Sequence, residues 1–173
     1  AYQIQSTLSE EALDVYHHHI QQDDLVLRLR RTLWLGASAS RDYLLDPDPD
    51  RGVKYSVRLR ELKTESLRRL EDLERLPVPG RDESDLQGVR TAVNEFWGAL
   101  ENVPAATERL GAVERYNFLQ EEIVPRRSSA GDGIREFAQM TQRALQESET
   151  MFARTRRAGA QRLLLLLGLS LLL

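Results

Sequence analysis

The stretch QDDLVLRLRRTLWLGASASRDYLLDPDPD, residues Gln22 to Asp50, decides the fold. Within it Gln22, Val26, Leu29, Leu33, Gly36, Ser40 and Tyr43 follow one another at steps of 4 and 3, and the same phase runs back through His19, Val15 and Ala12 to Leu8. Such an unbroken seam is what a helix in a bundle or coiled coil requires. Leu13, Ile20, Leu27 and Trp34 form a second row at seven-residue steps, which predicts that the helix buries more than one stripe and contacts more than one partner. The seam stops at Asp46-Pro47-Asp48-Pro49-Asp50. Each proline removes a backbone donor and pushes the residue before it out of the α region, so the stretch reads as a tight turn, with Asp48 and Pro49 suited to the N-cap and first position of a second helix.

Beyond that turn the second helix carries Val53, Val57, Leu62, Leu67, Leu70, Leu73 and Leu76 and ends at Pro77-Val78-Pro79-Gly80. A third begins near Ser84, where Ser84 and Gln87 have the spacing of a capping box, with the seam Leu86, Val89, Val93, Phe96, Leu100, Val103. Asn102-Val103-Pro104 breaks the chain again, and Pro104 suits the first turn of a fourth helix. Pro125 and the run Ser128 to Gly133 suggest a turn inside that last segment. Phase argues against one: Val113, Tyr116, Gln120, Ile123, Arg127, Ala130, Ile134, Phe137, Thr141, Ala144, Ser148, Met151 and Thr155 hold the 3-and-4 spacing through Pro125, which predicts a kinked or loosened helix.

The chain has 24 Lys and Arg against 27 Asp and Glu, a net charge of −3, which excludes the basic excess of a nucleic-acid protein. Cysteine is absent, so disulfides, thiolate metal sites and cysteine nucleophiles are excluded together. The last eleven residues, Leu163 to Leu173, hold nine Leu, with Gly168 and Ser170. That run has no polar face for water and is half of the roughly 20 residues a bilayer span needs, so it reads as the start of a transmembrane helix cut from a longer protein. Arm lengths of about 45, 27, 22 and 59 residues close as a hairpin scheme in which the outer two arms run past the inner pair. The expected fold is all-α: an elongated up-down-up-down four-helix bundle with long first and last helices over residues 1–158, the last running into a truncated transmembrane helix at 159–173.

The segment Ser40-Arg41-Asp42-Tyr43-Leu44-Leu45 before the first turn resembles the Arg-x-Tyr-Leu-Leu pattern at the end of the first helix in the four-helix-bundle extracytoplasmic sensor domains of bacterial chemoreceptors and sensor histidine kinases. Phe118-Leu119-x-Glu121-Glu122, leading into Pro125, is also similar. The resemblance implies a parallel homodimer in the bacterial inner membrane, with this domain periplasmic or extracellular. It implies a signal passed through the last helix, and a small molecule or a periplasmic binding protein as what is sensed. Arg154, Arg156, Arg157 and Arg162 flank the Leu run on the side the resemblance sets outside, against the positive-inside rule, which weakens for long translocated domains. The alternative is a structural or adaptor bundle tethered to a membrane by its C-terminal helix, with the Arg flank in the cytoplasm.

Arg41, Tyr43, Arg51, Lys54 and Tyr55 cluster at the expected tip, and the resemblance implies a ligand near it, with Arg suited to hold a carboxylate in bidentate fashion. His17, His18 and His19 point about 100° apart on a helix and do not ligate one ion together; His19 with Asp23 makes only half a metal site, and a polar layer in the seam with Gln22 is the reading preferred over a metal. Trp34 and Trp97 fall on apolar rows and are expected in the core, while Arg69 and Arg127 interrupt seams. Glu121 and Glu122 are adjacent on a helix and face apart, so they form no acid–base pair. No phosphate loop, nucleophile triad or zinc-ligand spacing occurs, which predicts no catalytic residue, no cofactor and no enzyme in this segment; any kinase activity belongs to a further C-terminal region.

Overall fold

The computed structural model describes residues 2–46, 49–77 and 83–170. All of its elements are helices: α1 (Tyr2–Leu45), α2 (Pro49–Arg75), α3 (Glu83–Glu101), α4 (Val103–Arg109), α5 (Ala112–Phe118), a π-helical turn (Leu119–Ile123) and α6 (Val124–Ser170). Among the described residues no helix is long and apolar enough to cross a membrane. The last residues of the Leu run, 171–173, lie outside the described set, as do the side chains of the whole run, of the Arg flank and of Leu8, Ala12, Leu13 and Val15.

The core follows the main seams. Val26, Leu29, Leu33, Gly36 and Ser40 of α1 are buried, and so are Leu86, Val89, Val93, Phe96 and Leu100 of α3, together with Val103 at the start of α4. Trp97 and Phe96 are both fully buried and meet edge to face at 5.1 Å between centroids. Side chains of this size contribute about 1.5–3 kcal/mol each on burial. The Trp97 indole N–H donates to Ser66 Oγ at 3.1 Å, so its one polar atom is satisfied inside the core. α1 comes close enough to α3 at Gly36 that a Cβ there would lie 2.9 Å from two ring carbons of Trp97.

α1 packs on α2 and α6, and α3 on α6 and α2. Along α2 and α3, Glu74 meets Arg90, Ser66 meets Trp97 and Lys63 meets Glu101, so numbers fall on one helix as they rise on the other. Gln22 of α1 meets Thr141 of α6, whereas Trp34 to Arg41 lie beside Leu119 to Arg127. The buried Gln22 donates its amide to Thr141 Oγ1, giving the polar layer expected beside His19, itself half-buried.

Several expectations are corrected. Ile20, Leu27 and Trp34, the second row of α1, are 51%, 66% and 59% exposed, because α2 and α6 cover only the main seam; Trp34 is therefore not a core residue. α2 buries Tyr55 and Leu59 instead of Val53 and Val57, which face solvent. Ser84 stands inside α3, past its first residue Glu83, and is not an N-cap. Arg69 is half-buried beside Glu65, with its Nε buried and unpartnered.

The fourth segment is not one helix. It stops after Arg109, where Leu110 is extended (φ −99°, ψ 142°), and restarts after Gly111, whose N–H donates to the Glu114 carboxylate at 2.7 Å in half of a capping box. The chain then stays helical through Pro125 and through Ser128 to Gly133, with the loosening placed just ahead of the proline. Pro125 has no N–H for the carbonyl four residues back and its ring crowds that carbonyl. The π turn opens the helix there: the Val124 N–H bonds the Leu119 carbonyl five residues back, and Arg126 Nη1 donates to the Glu122 carbonyl at 2.8 Å. Downstream the expected seam holds at Ile123, Ala130, Ile134, Phe137 and Thr141. Upstream it does not: Val113, Tyr116 and Gln120 are exposed, and Leu119 is buried instead.

Candidate functional site

The tip residues separate into structural and accessible groups. Tyr55 is buried; its hydroxyl shares a hydrogen bond with Ser40 Oγ at 3.1 Å and points at the Leu100 carbonyl at 3.5 Å. Burial pushes its phenol up to about 12, the bond to Ser40 acting the other way and Tyr43 adding to the rise. Tyr43 stacks on Tyr55 at 4.7 Å with the rings 8° from parallel, and its hydroxyl occupies the space a Cβ on Gly52 would need, 2.8 Å away. Both tyrosines therefore fasten α1 to α2, Tyr55 buried and Tyr43 half-buried. Lys54 is exposed, and the Arg51 side chain lies outside the described residues. Arg41 is exposed and pairs with the adjacent Asp42 at 2.7 Å, a surface contact of little energetic weight.

Arg41 does belong to a concave site, though a different one from the predicted cluster. A groove of about 150 Å³ runs between α1 and the π turn. Trp34, Ala37, Ser38 and Arg41 form one wall, and Leu119, Gln120, Ile123, Val124 and Arg127 the other. α1 presents Trp34, Ser38 and Arg41 here because they follow at steps of 4 and 3 beside the buried seam. The π turn sets Leu119 and Ile123 as the apolar floor. Arg127 is half-buried on the far wall and forms no ion pair among the described residues, whereas neighbouring Arg126 is paired with Glu122. The groove thus combines an indole face, an apolar floor and two guanidinium groups, which suits a small organic anion with a flat apolar part.

Comparison with family models, with curated proteins and with solved structures finds no match. The groove is therefore read from its own chemistry.

Among the described residues no group of three His, Cys, Asp or Glu side chains could hold a metal ion. His19 Nε2 lies 3.5 Å from Asp23 Oδ2, so the two share a face, and among the described residues no third ligand joins them. Sequence reasoning missed Trp34, Ser38 and Gln120 as lining residues. The one available signal was Arg127, the single charged residue on its seam.

Proposed function

We propose that this chain is the extracytoplasmic input domain of a bacterial transmembrane receptor, of the sensor histidine kinase or methyl-accepting chemotaxis class. The observation that carries the reading is the continuity of α6, which runs without a break from Val124, on the wall of the groove, to Ser170 in the Leu run. Its 47 residues span about 70 Å as a single rod. Helix shifts of about 1–2 Å at packed interfaces are a known form of switching, and a rod this long carries such a shift from groove to bilayer.

On this reading the helices form an elongated up-down-up-down four-helix bundle, for which the falling and rising numbers of the contacting pairs are the support. The Leu run enters the bacterial inner membrane, and the bundle stands on its periplasmic face. The exposed row Ile20, Leu27 and Trp34, at heptad spacing along α1, supplies the seam of a parallel homodimer. The ligand is a small organic anion held between Arg41 and Arg127.

The test is a chimaera joining the chain, through its Leu-rich end, to the remaining membrane and kinase modules of a sensor kinase. One residue inserted in α6 after Thr141 turns everything downstream by about 100° and should change kinase output several-fold. The same insertion in the connection between α2 and α3 should leave output unchanged. Output indifferent to both insertions contradicts the proposal and favours a tethered structural bundle.

A further inference from the structure

The segment ahead of α6 carries two competing registers. On a straight α-helix Tyr116, seven residues before Ile123, would fall within about 20° of its buried face. Ala112, eleven residues before, would do the same, and Arg115 would stand about 80° away. In the structure the reverse holds. Ala112 is exposed, Tyr116 is 52% exposed and Val113 is 73% exposed, whereas Arg115 is half-buried. The Arg115 Nε is buried with no partner, and one other guanidinium nitrogen reaches the Thr107 carbonyl only at 3.5 Å. A buried unsatisfied donor and an exposed aromatic one position apart both favour the other register.

What holds the present register is Pro125. A straight helix would set its ring against the Glu121 carbonyl, and the π turn falls on the residues just ahead of it. The opposing preferences sit on opposite sides of one turn, and the seven-residue α5 is bounded upstream by two non-helical residues, Leu110 and Gly111. Those two can absorb a rotation of α5 without moving α4.

We propose that residues 110–123 form a two-register element in which α5 turns by one helical residue, exchanging Arg115 for Tyr116 against the core, with Pro125 setting the balance. The motion is about 100° and 1.5 Å. Leu119 and Gln120 take part in it, and both line the groove, so the register sets the shape of the groove wall. Single-turn π segments are frequent at functional positions, and a packed element with two discrete arrangements is what a switch needs. The element is built from α5, the π turn and Pro125 alone and needs no sensor role.

The chain contains no cysteine, so Ala112→Cys gives one thiol on α5. In the otherwise native full chain that thiol should react with a maleimide as fast as an unfolded control. Adding Pro125→Ala, which removes what holds the π turn, should slow labelling at least tenfold as position 112 turns to the core. Adding Arg115→Leu as well, which makes the present register comfortable, should restore it. A thiol that stays fully reactive in the Pro125→Ala chain overturns the proposal. Should Pro125→Ala not fold, relaxation dispersion on the native chain decides. Microsecond-to-millisecond exchange confined to amides 110–123 is the expected result, and its absence there, or its spread evenly into residues 130–137, overturns the proposal.

Discussion

Gly36 offers the sharpest energetic test of the packing. Replacing a mid-helix glycine by alanine normally stabilises a helix by about 1 kcal/mol. Gly98 and Gly88 of α3, where an added Cβ meets nothing within 4 Å, should show that gain in full. At Gly36 the same methyl would lie 2.9 Å from Trp97 Cη2 and Cζ3 and 3.1 Å from Leu100 Cδ1. Carbon pairs prefer about 3.5–4.0 Å. Neither neighbour can step aside, since Trp97 and Leu100 are fully buried and Phe96 backs the indole. Overpacking of this kind costs about 1–3 kcal/mol, and three simultaneous overlaps put Gly36→Ala near the top of that range. The expected net loss is about 2 kcal/mol against a gain of about 1 for Gly98→Ala. For a chain of this size the two variants should melt about 6–12 °C apart, read by circular dichroism. Trp97→Phe, which shortens the ring at the point of contact, should recover about 1–2 kcal/mol of the Gly36→Ala loss in a double-mutant cycle. A Gly36→Ala variant as stable as Gly98→Ala would refute the close approach of α1 to α3.

Two further outcomes follow from the polar groups in the core. Tyr55 titrates at about 12 in the fold against 10.0 unfolded, so its contribution is fully present below about pH 10 and is lost as pH rises through 12. Two pH units correspond to about 2–3 kcal/mol, so between about pH 9 and 12 the native chain should lose that much more unfolding free energy than Tyr55→Phe, and parallel losses would contradict it. The second outcome concerns the Gln22–Thr141 layer. Replacing both partners with Gln22→Leu and Thr141→Val should leave the melting temperature unchanged or raised, because both polar groups of a buried bond go together. A fall of more than about 1 kcal/mol in denaturant unfolding would count against it.

How far the sequence could be read depended on whether a residue's partner was local. The seam from His19 to Tyr43, the buried seam of α3 from Leu86 to Leu100 and the proline-marked ends of α1 and α2 were legible, because helical period and proline chemistry act within a few residues. Helicity through Pro125 was legible by phase for the same reason. The π turn was not, since steps of 3 and 4 lead equally to Ile123 from Gln120 or from Leu119, and one extra residue changes which is buried without breaking the pattern. The break at Leu110 and Gly111 carried only a glycine and a glutamate three residues later. The second row of α1 was read as core because apolarity shows that a face seeks cover and not which chain covers it. The groove joins α1 to residues some 80 positions away, a juxtaposition that no local spacing encodes; Arg127 alone hinted at it.

The dimer seam tests the receptor reading most directly. With no native cysteine, Ile20→Cys, Leu27→Cys and Trp34→Cys each give one thiol along the exposed row, and Val57→Cys and Gly98→Cys give exposed controls on other helices. The full chain in phospholipid vesicles, treated with mild oxidant, should form disulfide dimers at all three α1 positions and at neither control, since only a parallel pair brings every position of one row to its own copy. No dimer at the three positions, dimer at one alone, or equal dimer at the controls would contradict the account.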